Sequence, residues 1–412
     1  MTISNAPSWF QALQERARQL YPTLALPDFK RFNYRDWQLD DPAMQPPAAL
    51  TPLASDDQHF NQQAITYGSA PLQVNLTAEM RDAGVVVEDF ATAFTKHGDL
   101  LQQYLMTKAV AVDEDRLTAF NLANLQHGLL VYVPENVQLT TPLQLLHLQN
   151  STTASSDFGH VLIVAGRHSQ VKVLQQLETR GTHANQFHLI TEVVALANSH
   201  VTFTGLDMLS QQTTAYLNRR GYLGTDARID WSIGVFNNGN TIADFDSDLR
   251  GHGSDAEVKV VALSGGDQRQ CIDTRVTNYA PHSTGNIAQR GVILGRSELI
   301  FNGIGKIIKG AHGAHADQEN RVLMLSDQAH GDANPILLID ENDVLAGHAA
   351  SVGRVDEHQM YYLMSRGIPK KMAQRLVIRG FLGDVLSQLP SEELRERMVQ
   401  VIEGKLKNEL AD

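Results

Sequence analysis

Five histidines follow residue 311, and imidazole is the side chain in this sequence best suited to bind a metal ion. They are His312, His315, His330, His348 and His358. In "GAHGAHADQ", His312 and His315 are three residues apart, a spacing at which two imidazoles can converge on one ion. A polar turn explains these two residues more simply, because no third ligand accompanies them.

The context of His348, "NDVLAGHAASVGR", is different. Its neighbours Gly347, Ala349 and Ala350 are small, so they leave the ring sterically open. A neutral imidazole is a borderline ligand suited to iron, zinc or copper. From spacing alone, a structural histidine at the end of a strand remains the alternative to a metal ligand.

The single cysteine, Cys271, lies in "QRQCIDTRVTN", where the alternation predicts the middle of a strand. Free cysteines are among the most buried residues and are usually unreactive in that setting, so the pattern predicts a structural role. One thiol cannot form an internal disulfide. It also cannot anchor an iron–sulfur cluster alone, because such clusters are normally held by several thiolates.

Four aspartates occur close together in "DFDSDLRGHGSD": Asp244, Asp246, Asp248 and Asp255. On a β-solenoid, such a carboxylate group could bind calcium or act on a polysaccharide. Proteins of that kind are usually secreted. A solvated turn is the other interpretation of these residues.

Several common signatures of catalysis are missing from the 412 residues. The sequence contains no G-x-x-x-x-G-K-[ST], no G-x-S-x-G, no C-x-x-C and no H-E-x-x-H. A net charge of −12 argues against nucleic acid as the main partner. The beginning of the sequence lacks the pattern of a signal peptide, and no apolar run is long enough to cross a membrane. Together with the single cysteine, these features lead us to expect a cytosolic protein.

Short runs of alternating residues recur through the middle of the chain. They start near Ser169, Ser199, Ala227, Ala256 and, less regularly, Gly285, at intervals of about 29 residues. Alternation with period two is typical of half-buried strands, and the regular interval is typical of stacked solenoid turns. A β-sandwich also has short strands with regular turns, so the pattern leaves both architectures open.

Helical patterns occupy the two ends of the chain. Near the start, "SWFQALQERARQLYPTL" has apolar residues at helical spacing, and amphipathic helices are predicted from about Asp356 to the end. The apolar faces of these helices must pack on the strand region, on a partner, or on both.

One long block of sequence and one shorter segment point to a known family. The block covers residues 274–384 and includes "DTRVTNYAPHSTGN", "FNGIGKIIKGAHGAHADQENRVLMLSDQA" and "NPILLIDENDVLAGHAASVGRVDEHQMYYLMSRGI". The shorter segment is "ANLQHGLLVYVPENVQLTTPLQLLH", residues 123–147. Together they resemble the SufB/SufD family of iron–sulfur cluster assembly proteins.

Within this family the sequence is more similar to the SufD type than to the SufB type. SufB-type chains carry a cysteine just before the "NP" region, where this sequence has Ala329 and His330. They also read H-E-A-T where His348–Ser351 reads H-A-A-S. The SufD-type motif, H-G-A-T, is closer because its second residue is small.

The resemblance implies a mainly β architecture: a right-handed parallel β-helix over residues 123–353. A mostly helical N-terminal domain, 1–122, and a short helical C-terminal domain, 354–412, would flank it. It also implies a non-catalytic scaffold that pairs with a SufB-type paralogue through the β-helix and docks a SufC-type ABC ATPase on its C-terminal helices. His348 would then be a ligand near a nascent, transient iron–sulfur cluster, and the isolated chain would hold no cofactor tightly.

Two other functions remain open at this point. One is a carbohydrate-active β-helix enzyme that uses the aspartates between Asp244 and Asp255. The other is a self-associating homodimer that binds metal through His312, His315 and His348. The role of His330 and the association of the chain with itself in the absence of a paralogue also stay open.

Overall fold

The computed structural model describes residues 3, 5–41, 63–67, 70–387 and 392–409. Helices lie towards both ends of the chain. Their bounds are α1 Ser8–Leu20, α2 Ala78–Asp82, α3 Phe90–Lys96, α4 Gly98–Tyr104, α5 Arg116–Ala123, α6 Glu357–Ser365, α7 Lys370–Leu386 and α8 Glu392–Glu409, with a 3-10 turn at Arg35–Trp37. The side chain of Asp356 accepts hydrogen bonds from the first amides of α6, as expected of a helix that begins there.

Strands fill the region between the two sets of helices. Their bounds are β1 Gln63–Tyr67, β2 Ala70–Asn75, β3 Val86–Asp89, β4 His127–Val133, β5 Leu143–Ser151, β6 Ser155–Ala165, β7 Gln170–Gly181, β8 Asn185–Ala195, β9 His200–Met208, β10 Thr213–Leu223, β11 Arg228–Val235, β12 Thr241–Leu249, β13 Asp255–Ser264, β14 Arg269–Asn278, β15 Thr284–Ile293, β16 Glu298–Ile307, β17 Ala314–Met324, β18 His330–Ile339 and β19 Val344–Arg354.

These strands form two sheets that run side by side along a solenoid. Sheet A has the order β19-β17-β15-β13-β11-β9-β7-β5-β1-β2, and sheet B has the order β18-β16-β14-β12-β10-β8-β6-β4-β3. From β4 onward, each strand pairs in parallel with the strand two places further along the chain. Each turn therefore adds one strand to each sheet. The solenoid prediction is confirmed, and the sandwich alternative is wrong because its strands would be antiparallel.

The interior is a continuous apolar column built from alternate residues of both sheets. Phe203 and Trp231 pack against each other within it, with ring centroids 4.9 Å apart and planes tilted by 53°. One ion pair lies inside the column, where Arg219 donates to both carboxylate oxygens of Asp207 at 2.6 and 2.9 Å. Gly205 leaves room for this guanidinium, because a Cβ at that position would lie 3.3 Å from Arg219 Cζ. A buried charge is tolerated when it is paired and hydrogen-bonded in this way.

The outer face of sheet B is covered by the N-terminal part of the chain. Phe29, Phe32 and Tyr34 pack with Tyr216 and Ile300 in one buried apolar cluster. Helices α3 to α5 bury a second part of the same face. The strands of sheet B are therefore buried on both sides for much of their length, as in β8, where every residue is buried.

The outer face of sheet A is partly covered by α7 and α8. Ile378 and Leu382 of α7 and Ile402 of α8 are buried against outward side chains of sheet A, such as Val261 and Val292. These two helices belong to the core of the protein. No helix in the described part of the chain combines the length and apolar character that a membrane span requires.

Candidate functional site

The last turn of the solenoid, formed by β18 and β19, has one free edge on each strand. β18 pairs with β16 and β19 pairs with β17, and each is the final strand of its sheet. No described segment pairs with their other edges. At the opposite end, the short antiparallel strands β2 and β3 are the outermost strands of the two sheets. β18 and β19 are 10 and 11 residues long, whereas β2 and β3 have 6 and 4 residues. The last turn therefore presents the longer unpaired edges, with more free N–H and C=O groups, and we call it the open end of the fold.

His348 lies on the open end and faces the mouth of the interior column. It is in register with Gln318, a buried inward side chain of the preceding turn, so the alternation of the strand turns the imidazole to the same inner side. No later turn covers it, and His348 is exposed. Its backbone also faces the free edge. Since the amide of Val355 donates to Met324 of the neighbouring strand, the amides of even-numbered residues of β19 point away from that strand.

The other inward positions of the last turn carry no charge between Val344 and Val352. Ala346 and Ala350 on β19, and Ala333 and Leu337 on β18, share the inner side with His348. Among the described inward residues of β19 between Val344 and Val352, the imidazole is therefore the one ionisable group. The structure thus agrees with the prediction that the neighbours of His348 leave its ring open.

Pro335 is another inward residue of β18. It also interrupts the row of backbone N–H groups along the free edge of this strand. The amide of His330 donates to Ser297 of the preceding turn, so the amides of odd-numbered residues of β18 point to the free edge. Proline has no N–H to present at its position. Edge strands are where a sheet tolerates such a residue.

The remaining late histidines do not join His348. His315 is in register with Leu345, one place along the ladder from an inward position, so it faces outward from sheet A. The ring of His312 packs against His282 from another turn, with centroids 5.4 Å apart. The proposed metal group of His312, His315 and His348 therefore does not form within one chain. His330 is exposed at the start of β18, and His358 is exposed on α6.

The four aspartates of the second candidate site are separated by the fold. Asp244 and Asp246 lie on the outer face of sheet B under the N-terminal layer, and both pair with the buried guanidinium of Arg220, which is 2.8 Å from Asp244. Arg220 also pairs with Glu114 at 2.6 Å. Asp255 begins β13 in the other sheet. Because Asp244 and Asp246 are buried and both pair with Arg220, they do not form an exposed catalytic pair.

The fourth aspartate, Asp248, lies further along the same outer face and pairs with Arg250 at 2.6 Å.

Cys271 is buried in β14, as predicted, and burial raises the pKa of its thiol well above the ordinary value. It is therefore structural in this chain. In the described part of the chain, the group of three potential metal ligands that lie within 4.8 Å of one another is Glu114, Asp244 and Asp246, and His348 does not belong to it.

Comparison with family models connects this architecture to known proteins. Residues 147–381 match the model of the SUF system FeS cluster assembly, SufBD core domain, which covers more than half of the chain, and residues 71–145 match the SufBD protein N-terminal region. The chain belongs to the SufBD family. The matched core ends in α7, so it contains the whole open turn and His348.

Relatives of this SufBD chain support a finer assignment. It is 41% identical to the iron–sulfur cluster assembly protein SufD of Bacillus subtilis, over 97% of this chain and 95% of that protein. It is 25% identical to SufBD family proteins of Staphylococcus saprophyticus and Staphylococcus epidermidis, over 79% of this chain and 70% of each relative. The assignment of the sequence to iron–sulfur cluster assembly and to the SufD type is confirmed.

A charged cleft of the SufBD chain was not predicted from its sequence. The cleft lies between the N-terminal layer and the outer face of sheet B, and has a volume of about 680 Å³. Asp273 lines it and accepts a hydrogen bond from Asn302 at 2.6 Å. Burial is the main reason why the pKa of Asp273 is raised from 3.8 to about 7, and the nearby Asp246 adds to the effect. Arg220 and Glu114 could not be singled out from the sequence, because neither belongs to a motif.

The raised pKa of Asp273 predicts a pH dependence of stability. The folded chain keeps the proton up to about pH 7, whereas the unfolded chain releases it near 3.8, so the free energy of unfolding falls as pH rises between these values. Asp273→Asn retains the acceptor for Asn302 and removes this titration. Between pH 5 and pH 8, urea unfolding should show the variant gaining about 2 kcal/mol relative to the natural chain.

The control for this measurement is Asp317→Asn, the same substitution at an exposed position of β17. For this variant, the difference in the free energy of unfolding from the natural chain should not change with pH. The prediction would be contradicted if the free energies of unfolding of Asp273→Asn and the natural chain differed by the same amount at every pH.

Proposed function

We propose that this chain is a non-catalytic scaffold subunit that stacks its open last turn against the β-solenoid of a SufB-type paralogue. The observation that supports this most directly is the pair of free edges on β18 and β19. Long unpaired edges are usually blunted or covered, since they invite pairing with other strands. A partner that adds a strand to each sheet would satisfy these backbone groups by β-augmentation.

The side chains of the last turn favour the same partner. Ile339 and Val352 are inward residues, yet they are 42% and 38% exposed, and Leu338 and Leu345 are also exposed on the outer side. Inside the solenoid, equivalent positions are covered by the next turn. A second solenoid whose interior column continues this one would bury these residues at the junction. A second copy of this chain could occupy the same edges when no paralogue is present.

In this proposal His348 supplies a nitrogen ligand to a nascent iron–sulfur cluster at the junction. The imidazole faces the mouth of the column, where a partner would meet it, and imidazole is a suitable ligand for iron. The one cysteine of the chain is buried at Cys271, so thiolate ligands would have to come from the partner. The cluster is the cargo of the complex and is not a resident cofactor of this chain.

The pairing proposal predicts a strong effect of Ala350→Lys. This position is inward and exposed, so an ammonium group there would have to be desolvated between two solenoids. The variant should lose co-purification with the SufB-type paralogue while its thermal unfolding stays unchanged. Ala349→Lys is the matched control, because it places the same charge on the outer face. Retained pairing in Ala350→Lys would argue against stacking at this end.

The ligand proposal predicts that His348→Ala leaves the complex assembled but impairs its loading with iron and acid-labile sulfide. The side chain is exposed, so its removal should change the stability of the chain little. The measurement is iron and sulfide per complex after assembly, on material that co-elutes as the intact complex. His330→Ala, an exposed histidine of the same turn, is the control. Equal loading in all three complexes would exclude a role for His348.

We also propose that the surface of α6 and the start of α7 docks a SufC-type ATPase. α6 buries none of its residues, and Tyr361, Tyr362 and Met364 are 75%, 60% and 45% exposed. Met372 and Leu376 of α7 are also exposed. A contiguous group of large exposed apolar residues is typical of an interaction surface. The junction at β19 connects to α6 through Val355 and Asp356, so the two interfaces would be close in the chain.

Point substitution tests this docking surface better than truncation, because deletion of residues 366–412 would expose the face of sheet A that α7 and α8 cover. Replacement of Tyr361 and Tyr362 by serine should weaken ATPase binding by about tenfold or more, as aromatic anchors often contribute about 2 kcal/mol. Binding can be measured by calorimetry. Glu392→Ala, an exposed position on α8, should bind normally. If the tyrosine variant binds as tightly as the natural chain, the ATPase docks elsewhere.

A further inference from the structure

Three exposed histidines form a row at one corner of the solenoid. His252 lies between β12 and β13, His282 between β14 and β15, and His312 between β16 and β17. The three histidines thus occupy equivalent loops of three successive turns, and consecutive histidines are thirty residues apart in the sequence. The amide of His282 donates to the carbonyl of His312 at 3.0 Å, so the loops are joined by their backbones.

The imidazole rings of this histidine row are neighbours in space. The ring centroids of His252 and His282 are 5.2 Å apart with planes at 60°, and those of His282 and His312 are 5.4 Å apart with planes at 81°. Two imidazoles that share one tetrahedral zinc ion with Zn–N bonds of about 2.1 Å have ring centroids about 5 Å apart. Each neighbouring pair therefore already has the separation that a shared ion requires.

The backbone of the corner makes room for these rings. His282 itself has a φ of +56°, a left-handed conformation that histidine adopts more readily than most residues. Gly253 and Gly313 take the same conformation in the adjoining turns. A side chain at Gly313 would overlap the ring of His282, since a Cβ there would lie 2.5 Å from its Nδ1. Glycine at this position is what allows the central imidazole to lie along the row.

We propose that the histidine row is a binding site for a divalent transition metal, held by His282 together with either His252 or His312. Imidazole favours zinc, nickel, copper, cobalt or ferrous iron over magnesium and calcium, which prefer oxygen ligands. Because the three rings lie in a row, two of them bind one ion and water completes its coordination. The site faces solvent at a corner of the solenoid, and its existence does not depend on the pairing or docking proposed above.

The shared central residue gives the site a distinctive pattern of mutational effects. His282→Asn tolerates the left-handed backbone and removes a member of both pairs, so zinc binding should weaken by at least about tenfold. His252→Ala or His312→Ala alone leaves the other pair intact and should keep most of the affinity. The double variant His252→Ala/His312→Ala should bind as poorly as His282→Asn.

The experiment is calorimetric titration of the full chain, without a histidine tag, with Zn²⁺ and separately with Mg²⁺. Saturable binding of Zn²⁺ and no response to Mg²⁺ are expected. His358→Ala is the control for an exposed histidine outside the row and should bind like the natural chain. Thermal unfolding in metal-free buffer shows whether each variant is folded. If the folding of His282→Asn is perturbed, the zinc affinity of the double variant decides whether the site exists.

Three results would overturn the site. The first is the absence of saturable Zn²⁺ binding by the natural chain, which would make the row a structural stack only. The second is full affinity in both His282→Asn and the double variant. The third is loss of binding in His315→Ala with no effect of the double variant, which would place the ion on the outer face of β17.

Discussion

The parallel ladder between successive turns is the constraint on which this structure depends. Every strand from β4 onward needs a neighbour one turn before it and one turn after it to satisfy its backbone groups. At the first end, the ladder finishes in the short antiparallel strands β2 and β3, which pair with β1 and β4. At the last end the ladder stops at the long strands β18 and β19 without a described neighbour, and these free edges are the basis of the pairing proposed above.

The same ladder decides where charges lie. Adjacent residues of a strand point to opposite faces, and in β10 this sends Arg219 into the column and Arg220 to the outer side. Each guanidinium has carboxylates of its own: Asp207 inside, and Glu114, Asp244 and Asp246 outside. A shift of one residue in register would exchange these two arginines and leave both buried charges without partners. These ion pairs therefore allow the charges to be buried, and they also specify the register of the strand.

Strands that expose one face to water were easier to predict from the sequence than strands that are buried on both faces. The alternating runs near Ser169, Ser199, Ala227, Ala256 and Gly285 are β7, β9, β11, β13 and β15, all in sheet A. Of the sheet B strands between them, the alternation predicts β14, around Cys271, and misses the others, because the N-terminal layer buries their outer face and weakens the alternation. His348 was found through a motif, whereas the row of His252, His282 and His312 becomes visible only when the length of each turn is known.

Pro335 prevents a regular ladder from forming along the whole free edge of β18. A generic extended segment that approached β18 would find one main-chain donor missing in the middle of the edge, and would leave its own carbonyl there unsatisfied. Indiscriminate growth into fibrils by repeated addition of strands is thereby disfavoured. Only a surface that accommodates the gap, for example with an irregularity or a water molecule opposite Pro335, could seal the edge completely.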